Sequence, residues 1–572
     1  MTYSILFSSK YLQTGLEVAA LMAILLAFLV PRWRAGWFRG WELRLKNLGR
    51  SRWRAVAVSA VLPLAIRLAL LPVFSFPTPF VHDEFSYLLM SDTFARGRIV
   101  NPPPPEWKHF ETEYTLVQPT YSSQYQPAQG LVLAAGQVLT GNPWWGVWIS
   151  IGLMCGALCW GLSYLLPLPW ALCGALGAGL QFGIFGFWMN SYFGGAVAAA
   201  AGALVVGSLA RMRDKPVSSG IICGTGLIVL FASRPLEGAI WTVIAFIWIF
   251  VKYRRESLKI VAAGLLVGTA GGAALGYYDY RVTGDVFQPP YAEGRDLYGT
   301  PQSFWWQPAV TVDHFDNPQL QANYLNQLEF WERRYSVRAM WDSTWRRLRD
   351  FWRFFIGPFF TPALLFVLLL RRDRRLWPWL LVSIPFILDH ATFHAWYPQH
   401  SAPATILIVI ILLQCWRHLR VWQRQRGWGL ALSRYLTAAF GLTFVLIGIG
   451  RAAEDHLPEK ITRIWGPLKP AEKGRDRLLA KLHEMGGRYL VFVYYPPKHP
   501  YIDEWVFNTA EIPGAPVVFA RMVNPASDQR LVRAMPGYEV LRVNAETGEV
   551  TGPEKRVAQD SGSKAGSKSS AP

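Results

Sequence analysis

The sequence predicts an α-helical protein that crosses a membrane many times and carries a small α/β domain near its C-terminus. Three observations carry this. Apolar residues fill 52% of the 572 positions and aromatic residues 15%, with a positive mean hydropathy, which is not the balance of a soluble enzyme. Apolar stretches close to the roughly 20 residues that a bilayer requires recur along the first 450 positions. Beyond them the pattern changes to short β-branched and aromatic runs bounded by Gly and Pro.

Taken in order, twelve segments read as spans: 11–30, 55–73, 145–166, 169–189, 194–210, 217–233, 238–251, 260–279, 356–370, 376–391, 402–416 and 434–450. The first has no basic n-region and no small-residue cleavage site, so it reads as a span and not as a cleaved leader. Five connections between spans are basic: 31–54, 211–215, 252–259, 371–375 and 417–434. The positive-inside rule makes all five cytoplasmic, and twelve spans place all five on one side. The opposite side receives 74–128, the turns near 190 and 234, the loop 280–355, the turn 390–400 and the C-terminus. The net charge of +19 is therefore mainly a topology signal. Dispersed through short connections, it argues against nucleic-acid binding.

The resulting plan is an N-terminal helix with a basic connection over 1–54, a membrane domain over 55–450, a small α/β domain over 451–552, and a Ser/Lys/Gly-rich tail expected to be disordered over 553–572. In the α/β domain, strands are expected in 486–495, 514–521 and 537–544, with a helix over 528–535. The five cysteines, Cys155, Cys159, Cys173, Cys223 and Cys415, all fall in predicted spans without a CxxC pair, which points to apolar packing and excludes a disulfide framework.

Polar residues collect on the outer side. They include His82-Asp83-Glu84, "EWKHFETEY" (106–114), "YSSQYQPAQG" (121–130), "NSYFGG" (190–195), "SRPLEG" (233–238) and "DHATFHAWYPQH" (389–400). The middles of the spans carry almost no charge, Arg67 being the main exception. A transporter or flippase of lipid-linked sugars also calls for outer carboxylates, but it needs polar groups near the midplane as well. An enzyme working at the outer surface on a membrane-borne substrate fits better. "HDEFSYLLMSDTFARG" itself reads as a helix along the membrane surface. Asp83 would be its N-cap, Phe85, Leu88, Leu89 and Phe94 its apolar stripe, and Gly97 its stop. A cap accounts for one carboxylate and not for the pair.

The acidic pair after an early span, the helix behind it and "YQPAQGLVLA" (125–134) resemble the GT-C glycosyltransferases. These include the protein O-mannosyltransferases, the aminoarabinose transferases that modify lipid A, and related bacterial enzymes of the RgtA/B/C/D-like type. The resemblance covers roughly 55–420, with "HDEFSYLL" and "YQPAQGLVLA" as its most specific parts; "SRPLEG" and "WYPQHSAP" also fit. It implies a GT-C fold in a bacterial inner membrane and an extracytoplasmic active site. The donor it implies is a polyprenyl-phosphate sugar, and the acceptor a lipid, polysaccharide or protein. The reaction it implies is inverting transfer, with membrane lipids the other partners.

By that resemblance Asp83 matches the catalytic acid, here a general base. Glu84 matches the second acid and would bind acceptor or a divalent ion. Departing phosphate calls for a guanidinium. Arg234 in "SRPLEG" is the first candidate, with Glu237 to orient it; an anchoring Arg at headgroup level is the alternative. Arg67 is the second candidate, with snorkelling to the interface as its alternative. His82, Tyr87, Tyr125, Gln126, Glu237, His394, Tyr397 and His400 are the positions expected to contact substrate. His390, His394 and His400 with Asp389 also invite a metal reading, although hydrogen-bonding histidines are the plainer account. The aromatic and basic "MWDSTWRRLRDFWRFF" (340–355) should lie in the interface, and the loop 280–355 is long enough to cover the site.

Overall fold

The computed structural model describes residues 10–79, 81–253, 256–300, 307–392, 397–452, 474–497 and 499–552. It is mostly helical. In chain order the helices are α1 (Lys10–Leu29), α2 (Ala35–Leu48), α3 (Arg52–Ala69), α4 (His82–Ala95), α5 (Ala128–Thr140), α6 (Trp144–Leu162), α7 (Leu168–Ala178), α8 (Gly195–Arg211), α9 (Pro216–Phe231), α10 (Pro235–Lys252), α11 (Ser257–Thr283), α12 (Pro290–Tyr298), α13 (Pro318–Glu332), α14 (Val337–Phe351), α15 (Gly357–Leu364), α16 (Trp377–Thr392), α17 (Thr405–Val421), α18 (Trp428–Ala452), α19 (Gly474–Met485) and α20 (Pro525–Ala534).

Each of the twelve apolar segments falls on helix. By length and composition, six helices among the described residues suffice to cross a membrane, at Leu12–Leu29, Trp144–Leu162, Pro235–Lys252, Ser257–Thr283, Ala402–Val421 and Trp428–Ile449. The others are short or interrupted. The segment 169–189 passes from α7 into a π-turn at Gly179–Ile184. The segment 356–370 breaks into α15 and a 3₁₀ turn at Val367–Arg372, since Pro358 starts α15 and Pro362 withdraws a donor inside it. α6 and α17 are mostly buried, whereas α11 has few buried residues. Small residues allow the close crossings: a Cβ on Gly202 of α8 would stand 2.0 Å from the Pro403 carbonyl oxygen.

Three of the five basic connections meet in the structure. Glu42 of α2 accepts from Arg420 at 2.7 Å and from Arg434 at 2.8 Å. Asp373 accepts from Gln414 at 2.8 Å, with His418 Nε2 2.7 Å from the same oxygen. Connections 31–54, 371–375 and 417–434 are thereby joined. The first of them is not a plain loop: α2 is an amphipathic helix with Trp37 and Trp41 exposed among its arginines. All five cysteines are free thiols.

The C-terminal unit is a four-stranded sheet of order β4-β3-β5-β6, formed by β3 (Tyr489–Tyr494), β4 (Val517–Arg521), β5 (Glu539–Asn544) and β6 (Val550–Thr551). The central strand β3 runs parallel to β4 and β5, with Tyr489 opposite both Val517 and Glu539. Its run is buried from Tyr489 to Val493 and apolar there because both faces are covered. Tyr489, Val491 and Val493 pack with Leu482 and Trp505. Leu490 and Phe492 pack with Leu531 and also with Leu89, Phe110 and Tyr121 from outside the unit. The sheet thus shares a core with α4 and the chain that follows it. The tail 553–572 and residues 453–473 lie outside the described residues.

Candidate active site

α4 begins two residues earlier than the sequence suggests, with Val81 as N-cap and Gly97, at φ +72°, just past the end. The capping duty falls to Glu84 and not to Asp83. Glu84 Oε2 accepts from the Val81 N–H at 3.4 Å and Oε1 from the Tyr192 N–H at 3.0 Å. At the third helical position a carboxylate reaches back over its own helix start, and here it also ties α4 to the turn before α8. Asp83, one residue earlier, points elsewhere.

Asp83 Oδ1 accepts a hydrogen bond from the Tyr125 hydroxyl at 2.5 Å. Tyr125 stacks on Tyr87, one turn along α4, with centroids 4.5 Å apart and planes at 17°. Tyr114 stands 5.6 Å and Tyr291 6.3 Å from the same ring. Local bonds fix these positions. Ser86 Oγ donates to the Tyr114 carbonyl at 2.6 Å and lies 2.7 Å from Ser123 Oγ, holding the short antiparallel pair β1 (Thr115–Leu116) and β2 (Ser122–Ser123) against α4. The Tyr278 hydroxyl donates to the Tyr125 carbonyl at 2.8 Å. Tyr291 arrives on α12, where a Cβ on Gly294 would stand 2.1 Å from the Gln124 side chain.

Arg234 stands just ahead of α10, whose first helical residue is Pro235. The bond from the Ala128 N–H to the Ala232 carbonyl, 2.8 Å, brings this turn to the start of α5. The Arg234 charge acts on Asp83, Tyr87 and Tyr291, yet among the described residues its guanidinium has no hydrogen bond and no ion pair. Burial raises the Asp83 carboxyl above its ordinary range; the Tyr125 hydroxyl, His82 and Arg234 oppose that rise without cancelling it. Burial likewise lifts the phenols of Tyr87, to about 12, and of Tyr125, so both stay protonated and Tyr125 remains a donor.

His82 is buried on the other side of the helix start, 3.6 Å from Glu113 and 3.8 Å from Glu504 of the C-terminal unit. Gln126 turns away from Asp83 and donates to Asp279 at 3.2 Å. Glu237 is buried in the first turn of α10. Tyr397 and His400 meet edge to face at 5.6 Å, and Tyr397 lies near enough to act on Tyr114. His394 lies outside the described residues.

Arg67 does not join the group. It is fully buried, donates to the carbonyls of Phe74 at 2.8 Å and Ser75 at 3.1 Å and to Asn190 at 3.4 Å, and sits 4.8 Å over the Trp144 ring. Both terminal nitrogens are engaged with the chain's own oxygens, an arrangement that closes the end of α3 and leaves no fork for phosphate. Among the described residues no group of three or more His, Cys, Asp and Glu has a metal-binding arrangement. Tyr114, Tyr291, Glu113 and Glu504 complete the site without having been named individually in the sequence, although Glu113 and Tyr114 end the outer polar stretch "EWKHFETEY". The other two also carried a signal: Glu504 directly precedes the apolar run "WVF", and Tyr291 follows two prolines that open a helix.

No family model matches the chain, and no curated protein matches it. Solved structures similar to it include the apo oligosaccharyltransferase of Archaeoglobus fulgidus, at 10% identity and TM-score 0.43, covering 86% of this chain and 69% of that one. The same archaeal enzyme, AglB, with an inhibitory peptide and a dolichol-phosphate matches at 10% identity and TM-score 0.42, covering 89% and 70%. Apo ArnT from Cupriavidus metallidurans matches at 12% identity and TM-score 0.48, covering 85% and 92%.

Proposed function

We propose that the chain is a membrane glycosyltransferase that moves a sugar from a polyprenyl-phosphate donor to an acceptor at the outer membrane face. The observation that carries this reading is Asp83, held by Tyr125 in a ring of tyrosines and within reach of the charge of Arg234, whose guanidinium has no hydrogen bond or ion pair among the described residues. The GT-C resemblance of "HDEFSYLL" and "YQPAQGLVLA" supports it independently. So does the absence of charged side chains from the middles of α6, α8, α9 and α17, where a carrier needs them.

The chemistry divides between two groups. The Asp83 carboxylate takes the proton of the acceptor's hydroxyl or amine as that atom bonds to the anomeric carbon. The bond from that carbon to the phosphate oxygen breaks, its electron pair leaving with the polyprenyl phosphate. Arg234, donating through its planar fork, stabilises the charge that develops there. Attack opposite the leaving group inverts the anomeric centre. A base whose pKa is raised toward the working pH is the better proton acceptor, and burial of Asp83 acts in that sense. Tyr87, Tyr125 and Tyr291 offer ring faces to a sugar.

The test is sugar transfer from a radiolabelled polyprenyl-phosphate sugar by the full-length protein in detergent, with an envelope extract as acceptor source. Wild-type turnover that disappears in a folded Asp83→Asn protein supports the reading. Asp83→Asn turning over at the wild-type rate removes Asp83 as base. Donor binding without turnover by the wild type points to a carrier.

A further inference from the structure

The C-terminal unit reaches the centre through one buried histidine. Residues 504–511 lie along a single face of α4. Glu504 pairs with His82 at 3.8 Å, Phe507 stacks on Phe85 at 3.5 Å, the Ala510 N–H donates to Asp92 at 2.8 Å, and Arg96 donates to Glu511 at 2.9 Å. Positions 82, 85, 92 and 96 follow helical spacing, so the contact is a continuous seam. Glu504 is fixed within it. Its Oε1 accepts from the N–H groups of Trp505 at 2.9 Å and Val506 at 2.8 Å and from the Tyr495 hydroxyl, while Oε2 faces His82.

We propose that Glu504 is a positioning residue for the Asp83 centre: paired with His82, it keeps an imidazolium cation beside Asp83 and so holds Asp83 in its ionised, proton-accepting form. This rests on the reading of Asp83 as general base. It makes the centre competent only while the C-terminal unit is seated on α4.

The surroundings of His82 favour the cation. Glu113 faces its Nδ1 from the chain after α4, with Tyr114 and Tyr501 near that acid. Glu504 faces its Nε2, with Tyr495, Arg475 and Arg521 around that acid. Asp83 adjoins it on α4, with Tyr125 and Arg234 beyond. Burial alone depresses an imidazole, but Glu504, Glu113 and Asp83 outweigh it, and His82 titrates above its ordinary range. Glu504 is the complementary partner. Burial works against its charge, and His82, Tyr495 and the Val506 N–H hold it below the ordinary range nonetheless.

The experiment follows His82 directly in the full-length protein in detergent. Carbon-13-labelled histidine resonances are titrated by NMR in wild type, Glu504→Gln and Glu504→Asp, with His82→Asn assigning the signal. Expected is a fall of about one pH unit or more in the His82 midpoint for Glu504→Gln, a tenfold change in the ionisation ratio, and near-restoration in Glu504→Asp. The low-pH limb of kcat should move upward in Glu504→Gln as Asp83 loses its neighbouring cation, while KM for the donor holds. If Glu504→Gln does not fold, Tyr495→Phe is expected to move the midpoint the same way by less. An unmoved His82 midpoint in a folded variant, or a kcat profile lowered without displacement, overturns the proposal. If the wild type turns over no donor, the base role falls with the glycosyl-transfer reading, and the His82 midpoint still decides whether Glu504 charges His82.

Discussion

The rings of Phe85 and Phe507 stack with centroids 3.5 Å apart and planes at 23°, both buried, although 422 positions separate them in the chain. This is the apolar centre of the seam between α4 and the C-terminal unit. Truncating a buried Phe costs about 3–5 kcal/mol, a large part of what holds such a contact. Phe507→Ala should therefore release the unit while the helix bundle survives. Hydrogen–deuterium exchange is expected to rise in 82–95 and 504–511 and to stay unchanged in α6 and α17. Protection retained along α4 would count against the seam.

Tyr125 holds Asp83 through its hydroxyl and Tyr87 through its ring. Tyr125→Phe keeps the stacking and removes only the donor. A hydrogen bond to a charged group is worth about 1.5–3 kcal/mol, so kcat should drop roughly 10- to 100-fold, with donor KM little changed and thermal stability near wild type. Tyr87→Phe makes the comparison, because the Tyr87 hydroxyl is not the donor to Asp83. A larger loss in Tyr87→Phe than in Tyr125→Phe would mean that the ring stack, and not the bond to Asp83, sets the activity.

Much of the helical framework was readable because most of its helices are apolar runs whose signal is local. The segment expected at 217–233 is α9, Pro216–Phe231, and the one at 260–279 lies inside α11. The strand over 486–495 was readable for the same reason, YLVFVY being β-branched and aromatic. The division of labour within the acidic pair was not. Whether Asp83 or Glu84 faces the tyrosines depends on the Tyr192 N–H, 108 positions away, which takes up Glu84. Arg67 looked like a headgroup or phosphate ligand because an arginine near the end of a span usually meets water or lipid. The chain reversal at Phe74 and Ser75 supplies carbonyls that no local pattern announces. The seam on α4 was hidden too. Glu504, Phe507 and Glu511 show no periodicity of their own, since they contact a helix without forming one.

The two arginines should part company on substitution. Arg234 is proposed to bind phosphate through its fork, which a lysine ammonium cannot reproduce. Arg234→Lys should lower kcat/KM for the donor by roughly 10- to 100-fold, the 1.5–3 kcal/mol of a charged hydrogen bond, at unchanged melting temperature. Arg67 donates two bonds to backbone carbonyls inside the protein. Arg67→Lys should lower the melting temperature and leave kcat/KM of the surviving folded fraction near wild type. The reverse pattern would exchange their roles.

The dependence on pH separates the centre from the seam. Burial raises the Asp83 carboxyl, and a base works only when deprotonated. Activity should therefore rise with pH through a midpoint above the ordinary aspartate value near 3.9 and vanish below it. The seam responds in the opposite direction. Burial is outweighed by Glu504, Glu113 and Asp83, and His82 is raised above its ordinary value of 6.5. A group raised on folding contributes stability that is fully present below its unfolded pKa and is lost as pH climbs through the folded one. Glu504 is lowered on folding, so its contribution is present above its unfolded pKa and fails only in acid. Exchange protection of α4 should hold across the mildly acidic range and decline on the alkaline side of 6.5, while Asp83 remains ionised. His82→Gln should flatten that alkaline decline. Protection that falls at the same pH in His82→Gln as in wild type would assign the loss to another group.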